Sequence, residues 1–148
     1  MRKIIFLNES VGKETNLIFL SDKNMDGKTL TPRVPNNFLI KNGYEDSTTP
    51  RICFASSIDK ALMAISRNLK GEELYVHKPK NINKKAIYKP SVKEVPDVKI
   101  TGEVWYKEPV DLECVGKILI TADDGKDGHE YTYGNKTAKL YGWNWEWV

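Results

Sequence analysis

Two arginines stand in proline-framed segments of the chain. Arg33 lies between Pro32 and Pro35, and Arg51 directly follows Pro50. Proline fixes its own backbone angle φ and disfavours helix in the residue before it, so the chain around both arginines is restricted. A guanidinium is a planar cation with several donors that suits phosphate and carboxylate groups. We therefore predict that Arg33 and Arg51 hold an anionic group of a ligand on one concave surface.

An alternative for both arginines involves no ligand. The segment between them contains Glu45 and Asp46, and an ion pair with either acid would fix the loop. The two alternatives predict different effects of replacing these arginines with lysine. Ligand binding weakens in the first, and stability falls in the second.

Ser56 and Ser57 follow Arg51 and stand at the start of a predicted helix. The first backbone N–H groups of a helix have no partner within it, and with the positive end of the helix dipole they can bind an anion. We predict that both serines contribute to ligand binding beside Arg51. A serine at this position also caps a helix without any ligand, and that interpretation stays open.

A strand that runs directly into a helix positions these groups. The segment from Arg51 to Ala55 is predicted to be a buried strand, and the helix is predicted from Ser57 to Lys70. Gly71 supplies a C-terminal stop. Within the helix, apolar residues recur at spacings of three and four, which makes one face apolar: Ile58, Ala61, Leu62, Ile65 and Leu69. We expect this face to pack on a mostly antiparallel sheet.

The remaining predicted elements are short and mostly strands. They are strands at Lys3–Leu7, Leu17–Leu20, Glu73–His77, Gly102–Tyr106, Leu112–Thr121, Tyr131–Tyr133 and Lys139–Trp147, and a short helix at Asn36–Lys41. In the last strand, alternation places Trp143, Trp145 and Trp147 on one face, where they cover the edge of the core, stack on bases or sugars, or form an interface. The predicted fold is a single α+β domain over residues 1–148, a mostly antiparallel split sheet or sandwich with one main helix and long loops.

Composition narrows the classes of partner. The chain of 148 residues is 40% hydrophobic and 29% charged, which is typical of a soluble globular domain. Its net charge of +3 argues against nucleic acid as the main partner, and no apolar run approaches bilayer length. Cys53 and Cys114 stand in apolar runs as expected for buried free thiols, and the scattered cysteines and histidines predict no metal site. We expect a cytoplasmic protein.

The order of these parts resembles the ADP-ribosyltransferase fold. An early strand ends in a polar residue at Leu17–Ser21, a strand enters a helix at Arg51–Leu69, and a late strand carries a glutamate at Thr101–Trp105. More specifically, the chain is similar to small uncharacterised proteins of bacteria and their phages. The shared blocks are Leu-x-Pro-Arg-x-Pro, Glu-Asp-x-x-Thr-Pro-Arg-Ile-Cys-Phe and Gly-Glu-Val-Trp. The resemblance covers roughly residues 17–120.

The resemblance implies NAD as substrate and Glu103 as the catalytic residue. A carboxylate there would stabilise the positive charge that develops on the ribose as nicotinamide leaves. Where the family often has a histidine that contacts this ribose, the chain has Phe19, whose ring offers the ribose no hydrogen bond. A strand-end glutamate paired with a lysine is the alternative for Glu103.

Two functions from different classes follow. The first is an enzyme that cleaves the glycosidic bond of NAD and transfers ADP-ribose, with Glu103 at the reacting centre and Arg33, Arg51 and Ser56 on the phosphates. The second is a non-catalytic module on the same fold, which binds a nucleotide-like small molecule or a protein target. Glu103 favours the enzyme, whereas Phe19 favours the module.

Overall fold

The computed structural model of the protein describes residues 16–36, 43, 45–65, 68–123, 128–133, 136–141 and 144–147. The predicted strand Lys3–Leu7 lies outside the described residues, as does all but the first residue of the predicted helix Asn36–Lys41.

Short strands make up most of the described chain. They are β1 (Phe19–Ser21), β2 (Thr29–Leu30), β3 (Ile52–Ala55), β4 (Glu73–Pro79), β5 (Ile87–Tyr88), β6 (Glu103–Tyr106), β7 (Val110–Asp123), β8 (Gly128–Tyr133), β9 (Lys136–Tyr141) and β10 (Asn144–Trp147). Two α-helices, α1 (Ile58–Met63) and α2 (Val98–Thr101), and a 3-10 turn at Lys84–Ala86 complete the described elements. None of these helices is long and apolar enough to cross a membrane.

The strands form two sheets. The larger sheet has the order β1-β4-β7-β8-β9-β10, with β2 paired to the start of β7, and the smaller sheet has the order β3-β6-β5. Every strand pair in the described residues is antiparallel. Ile18 and Ala55 bridge the two sheets with backbone hydrogen bonds of 2.7 and 2.9 Å. The mostly antiparallel α+β class is confirmed, and the similarity to the ADP-ribosyltransferase fold stays a prediction.

Two apolar clusters form the core, one for each part of the long strand β7. The first lies between helix α1 and the larger sheet and contains Ile58, Leu62, Val76, Ile118 and Ile120. The second joins the smaller sheet to the start of β7 and contains Ile52, Phe54, Val104, Tyr106 and Leu112. Because apolar side chains of β3 and β6 face this second cluster, the opposite face of the smaller sheet carries their other side chains.

Helix α1 is shorter than predicted. Ser57 caps it, since the Ser57 hydroxyl accepts a hydrogen bond from the Lys60 amide at 3.3 Å, but the helix ends at Met63 rather than Lys70. The Leu69 amide instead donates to the Asp123 carboxylate at 2.7 Å, and the Leu69 side chain is still fully buried. The periodicity identified Ile58, Leu62 and Leu69 as buried and Ala61 and Ile65 as partly buried, and the Leu69 amide binds β7 rather than the helix backbone.

The predicted strand Lys139–Trp147 is two strands. β9 and β10 pair antiparallel with Tyr141 opposite Asn144, so the chain reverses between them. The prediction was wrong because alternation of residue types does not show where an antiparallel strand turns back. Trp143 lies outside the described residues.

Gly102 fixes the start of β6 against the start of α1. It ends α2 in the left-handed region at φ 59°, and a Cβ added there would lie only 2.6 Å from the Ser56 hydroxyl. Glycine satisfies both the positive φ and the close approach. The contact places Glu103, the next residue, at the junction of the smaller sheet and the helix.

Candidate functional site

Arg33 and Arg51 lie directly opposite each other in a backbone bridge. The Arg33 amide donates to the Arg51 carbonyl at 3.1 Å, and the Arg51 amide donates to the Arg33 carbonyl at 3.0 Å. Their side chains have different environments, because the Arg33 side chain is exposed and that of Arg51 is fully buried. Only Arg33 can meet a solvated ligand without prior rearrangement.

The guanidinium of Arg51 holds the loop that precedes β3. Its Nη1 donates to the carbonyls of Asp46 at 2.9 Å and Thr49 at 3.0 Å, and the Asp46 carboxylate lies 3.8 Å away. Hydrogen bonds from Thr49 and Thr48 lower the pKa of Asp46 to about 2 and close the loop on itself. Arg51 therefore fixes the loop at Asp46, as the alternative without a ligand predicts.

The rest of the Arg51 guanidinium is stabilised without hydrogen bonds. Its Cζ lies 4.2 Å from the centre of the Trp105 ring, which is a cation–π contact. Nε and Nη2 are buried and have no hydrogen-bond partner among the described residues. Open donors on a buried cation are costly unless a ligand or a nearby negative charge compensates for them.

Besides Asp46, Glu45 and Glu103 supply negative charge near Arg51. Burial raises the pKa of Glu103, opposed by a hydrogen bond from the Trp105 indole, 2.6 Å from Nε1 to Oε2, and by the charge of Arg51. Burial also raises the pKa of Glu45, with further increases from Glu103 and Asp97, while Arg51 lowers it. The two carboxylates therefore repel each other and share one buried cation.

These groups surround a cavity of about 330 Å³. Its wall includes Arg33, Glu45, Arg51, Cys53 and Glu103, and apolar residues such as Phe19 complete it. Burial raises the pKa of the Cys53 thiol to about 11, so this half-buried cysteine is no thiolate nucleophile at neutral pH.

A second compartment of about 160 Å³ adjoins this cavity between β1, β3 and α1. Phe19, Cys53 and Glu103 line both spaces, so the two compartments are adjacent at these residues. Elsewhere the second compartment is mainly apolar, with Leu20 and Ile65 in its wall. A ligand that fills both spaces needs a polar part and an apolar part.

A buried histidine holds Phe19 in its place. The ring of His77 lies with Nδ1 3.2 Å from the Phe19 carbonyl oxygen, and its Nε2 accepts from the Met25 amide at 2.9 Å. With Nε2 as an acceptor, the proton lies on Nδ1. The rings of His77 and Phe54 also pack edge-on against the Phe19 ring. His77 therefore has a structural role.

The structure brings four of the predicted site residues together, because Phe19, Arg33, Arg51 and Glu103 all line the 330 Å³ cavity. Ser56 and Ser57 are not in that wall, and the role seen for Ser57 is the helix cap.

Sequence reasoning missed Glu45 as a wall residue and the roles of Cys53 and Trp105. Alternation along a strand gave a signal, since Cys53 is two residues from Arg51 and Trp105 two residues from Glu103. The sequence did not show the strand register, which places Cys53 opposite Trp105.

Comparisons with protein-family models, curated proteins and solved structures find no match to this chain.

Proposed function

We propose that the cavity binds a nucleotide-like ligand, NAD in the first instance, and that the protein is an ADP-ribosyltransferase-like protein of the cytoplasm. The observation that carries the proposal is that Arg51, a buried cation with open donors, and Glu103, a half-buried carboxylate, line the same cavity.

The mixed charge of the wall supports a ligand of this class. Exposed Arg33 can contact phosphate oxygens, while buried Arg51 adds positive potential from behind the wall. Glu45 and Glu103 can accept hydrogen bonds from ribose hydroxyls. A simple inorganic anion would use only the arginines and would be repelled by both carboxylates.

The size and shape of the two compartments also support a ligand with unlike parts. The larger space, about 330 Å³, is within the range of small-molecule sites, and the smaller one, about 160 Å³, suits a single ring. A sugar beside Glu103 would lie at the junction of the spaces, with phosphate towards Arg33 and an uncharged ring between Leu20 and Ile65.

In the enzymatic form of the proposal, Glu103 acts on the ribose. The bond between the ribose carbon and the nicotinamide nitrogen breaks, its electrons stay with nicotinamide, and the acceptor bonds to the same carbon and loses its proton to solvent. The Glu103 carboxylate stabilises the positive charge that develops on the sugar. Because burial raises its pKa, this stabilisation is present above that pKa and is lost as the pH falls through it.

A non-catalytic module is the second candidate, and Phe19 is the observation that favours it. Its ring lines both compartments at the junction with Glu103, where it offers no hydrogen bond to a ribose. In this form the same cavity holds a nucleotide-like molecule, or a segment of a protein target, without bond cleavage.

Calorimetric titration with NAD and with ADP-ribose, followed by a nicotinamide-release assay, tests the proposal. We expect the parent protein to bind both compounds and to release nicotinamide slowly. Glu103→Gln should still bind NAD but release none, because it keeps the shape and removes the charge. Glu113→Gln is the matched control, since Glu113 is exposed on β7, and it should behave like the parent.

Four outcomes separate the candidates. Binding with Glu103-dependent release supports the enzyme, and binding without release supports the module. Release that survives in Glu103→Gln excludes the mechanism, while absence of binding to both compounds at millimolar concentration refutes the proposed function.

A further inference from the structure

One side chain, Trp105, contacts two charged residues of the cavity wall, Glu103 and Arg51. Its indole Nε1 donates to Glu103 Oε2 at 2.6 Å, and its ring face lies 4.2 Å from Arg51 Cζ. Its side chain is fully buried, so the two contacts take place in a region of low dielectric constant, where charges interact strongly.

The strand register accounts for this arrangement. In the smaller sheet, Cys53 pairs with Trp105, and Trp105 pairs with Tyr88, so these side chains share one face. Arg51 and Glu103 are each two residues from a member of this row, on the same face. Five side chains from three strands therefore meet on the face opposite the second core cluster.

The charge distribution of an indole matches both partners. An aromatic ring is electron-rich on its face and electron-poor at its edge, and the N–H group lies at the edge. The face of Trp105 meets the guanidinium, and its N–H group meets the carboxylate. Arg51 and Glu103, although close enough for their charges to interact, form no direct ion pair among the described residues.

We propose that Trp105 is a positioning residue that keeps Arg51 and Glu103 apart as two separate charges, so that neither neutralises the other and both act on the cavity. A direct ion pair would neutralise both charges and close the cavity. Where the inference concerns a ligand, it rests on the proposed function; the separation of the charges itself is a property of the free protein.

Tyr88 restrains the Trp105 ring. The two ring centres are 5.5 Å apart, and the Tyr88 hydroxyl donates to the Glu94 carboxylate at 2.6 Å. Lys107 Nζ lies 4.3 Å from the centre of the Tyr88 ring. These contacts restrain the indole ring from the side of β5, while its N–H group stays bonded to Glu103.

Nuclear magnetic resonance of the ligand-free protein tests the inference. The carboxyl carbon signal of Glu103 is identified by its loss in Glu103→Gln, and the Trp105 indole N–H signal is assigned through the backbone. As the pH changes, we expect both signals to shift with one midpoint. In Glu103→Gln the indole signal should lose this dependence.

Trp105→Phe removes the N–H donor and keeps an aromatic face for Arg51. We expect the Glu103 carboxyl to titrate at higher pH in this variant, because the lost hydrogen bond favoured the charged form. Glu113→Gln is the control, because Glu113 is exposed on β7 and lies outside this cluster, and its Glu103 midpoint should match the parent. NAD affinity should fall about tenfold in Trp105→Phe, the order of one charge-assisted hydrogen bond.

An indole signal that ignores Glu103→Gln, or a Glu103 midpoint unchanged in a folded Trp105→Phe, would overturn the inference. If Trp105→Phe does not fold, the comparison of the parent with Glu103→Gln still decides. Failure of NAD to bind would refute the proposed function and leave the ligand-free titrations unaffected, so the two failures are distinguishable.

Discussion

Replacing Arg51 with lysine measures how much of the fold depends on the shape of this buried cation. Lysine keeps the positive charge but loses the planar fork that reaches two carbonyls and lies on an aromatic ring. In the native protein that fork donates to Asp46 and Thr49 at 2.9 and 3.0 Å and lies 4.2 Å from the Trp105 ring centre.

The expected cost follows from these contacts. A hydrogen bond that involves a charged group contributes about 1.5 to 3 kcal/mol, and a cation–π contact contributes about 0.5 to 2. If lysine keeps one of the two bonds and part of the ring contact, the free energy of unfolding falls by about 2 to 3 kcal/mol. The loss of the open donors at Nε and Nη2 offsets part of the cost, so this figure is an upper estimate. For a chain of this size it corresponds to a fall in Tm of roughly 4 to 12 °C.

Urea unfolding of the parent, Arg51→Lys and Arg33→Lys is the assay. Arg33 is the matched control because it bonds through its backbone in the same bridge but has an exposed side chain. We expect Arg33→Lys to stay within about 0.5 kcal/mol of the parent, as is usual for surface changes. Equal stability of all three proteins would refute the structural role of Arg51, and equal losses in the two variants would show that both arginines fix the loop.

The remaining predictions concern the core and the loop. Leu62→Ala should lower the free energy of unfolding by roughly 2 to 5 kcal/mol, because the Leu62 side chain on α1 is fully buried. The same replacement at the half-exposed Leu119 should cost less. Equal melting temperatures for the parent and Leu62→Ala would contradict the packing. Asp46 has a folded-state pKa lowered to about 2, so it stabilises the fold above its unfolded pKa, and this contribution is lost as the pH falls from about 4 to about 2. Asp46→Asn should therefore be less stable than the parent at pH 7, and its free energy of unfolding should fall less steeply as the pH is lowered. If its free energy of unfolding falls with pH as steeply as that of the parent, Asp46 does not have this role.

Local patterns predicted most of the strands and the buried face of α1. Period-two alternation and the short apolar runs located β3, β4, β6 and β7 to within two residues, since these signals depend on neighbours in sequence. The end of α1 was not predictable in this way. The Leu69 amide, predicted to lie in the helix, instead binds the carboxylate of Asp123, a residue distant in sequence that no local pattern points to.

The candidate site was predictable in part for a similar reason. Residue chemistry selected Arg33, Arg51 and Glu103, but their meeting depends on the pairing of β3 with β6 and on the Arg33–Arg51 bridge. Strand register is set by contacts across the whole sheet, and one sequence alone does not specify it. The role of Trp105 became visible only when that register was known.

An NAD titration of isotope-labelled protein, followed by magnetic resonance, tests whether this cavity binds a nucleotide-like ligand. We expect saturable amide shifts centred on Phe19, Cys53 and Glu103, the residues shared by both compartments, with little change at the exposed Leu119 of β7. No shifts at millimolar NAD, or shifts centred away from these three residues, would contradict it.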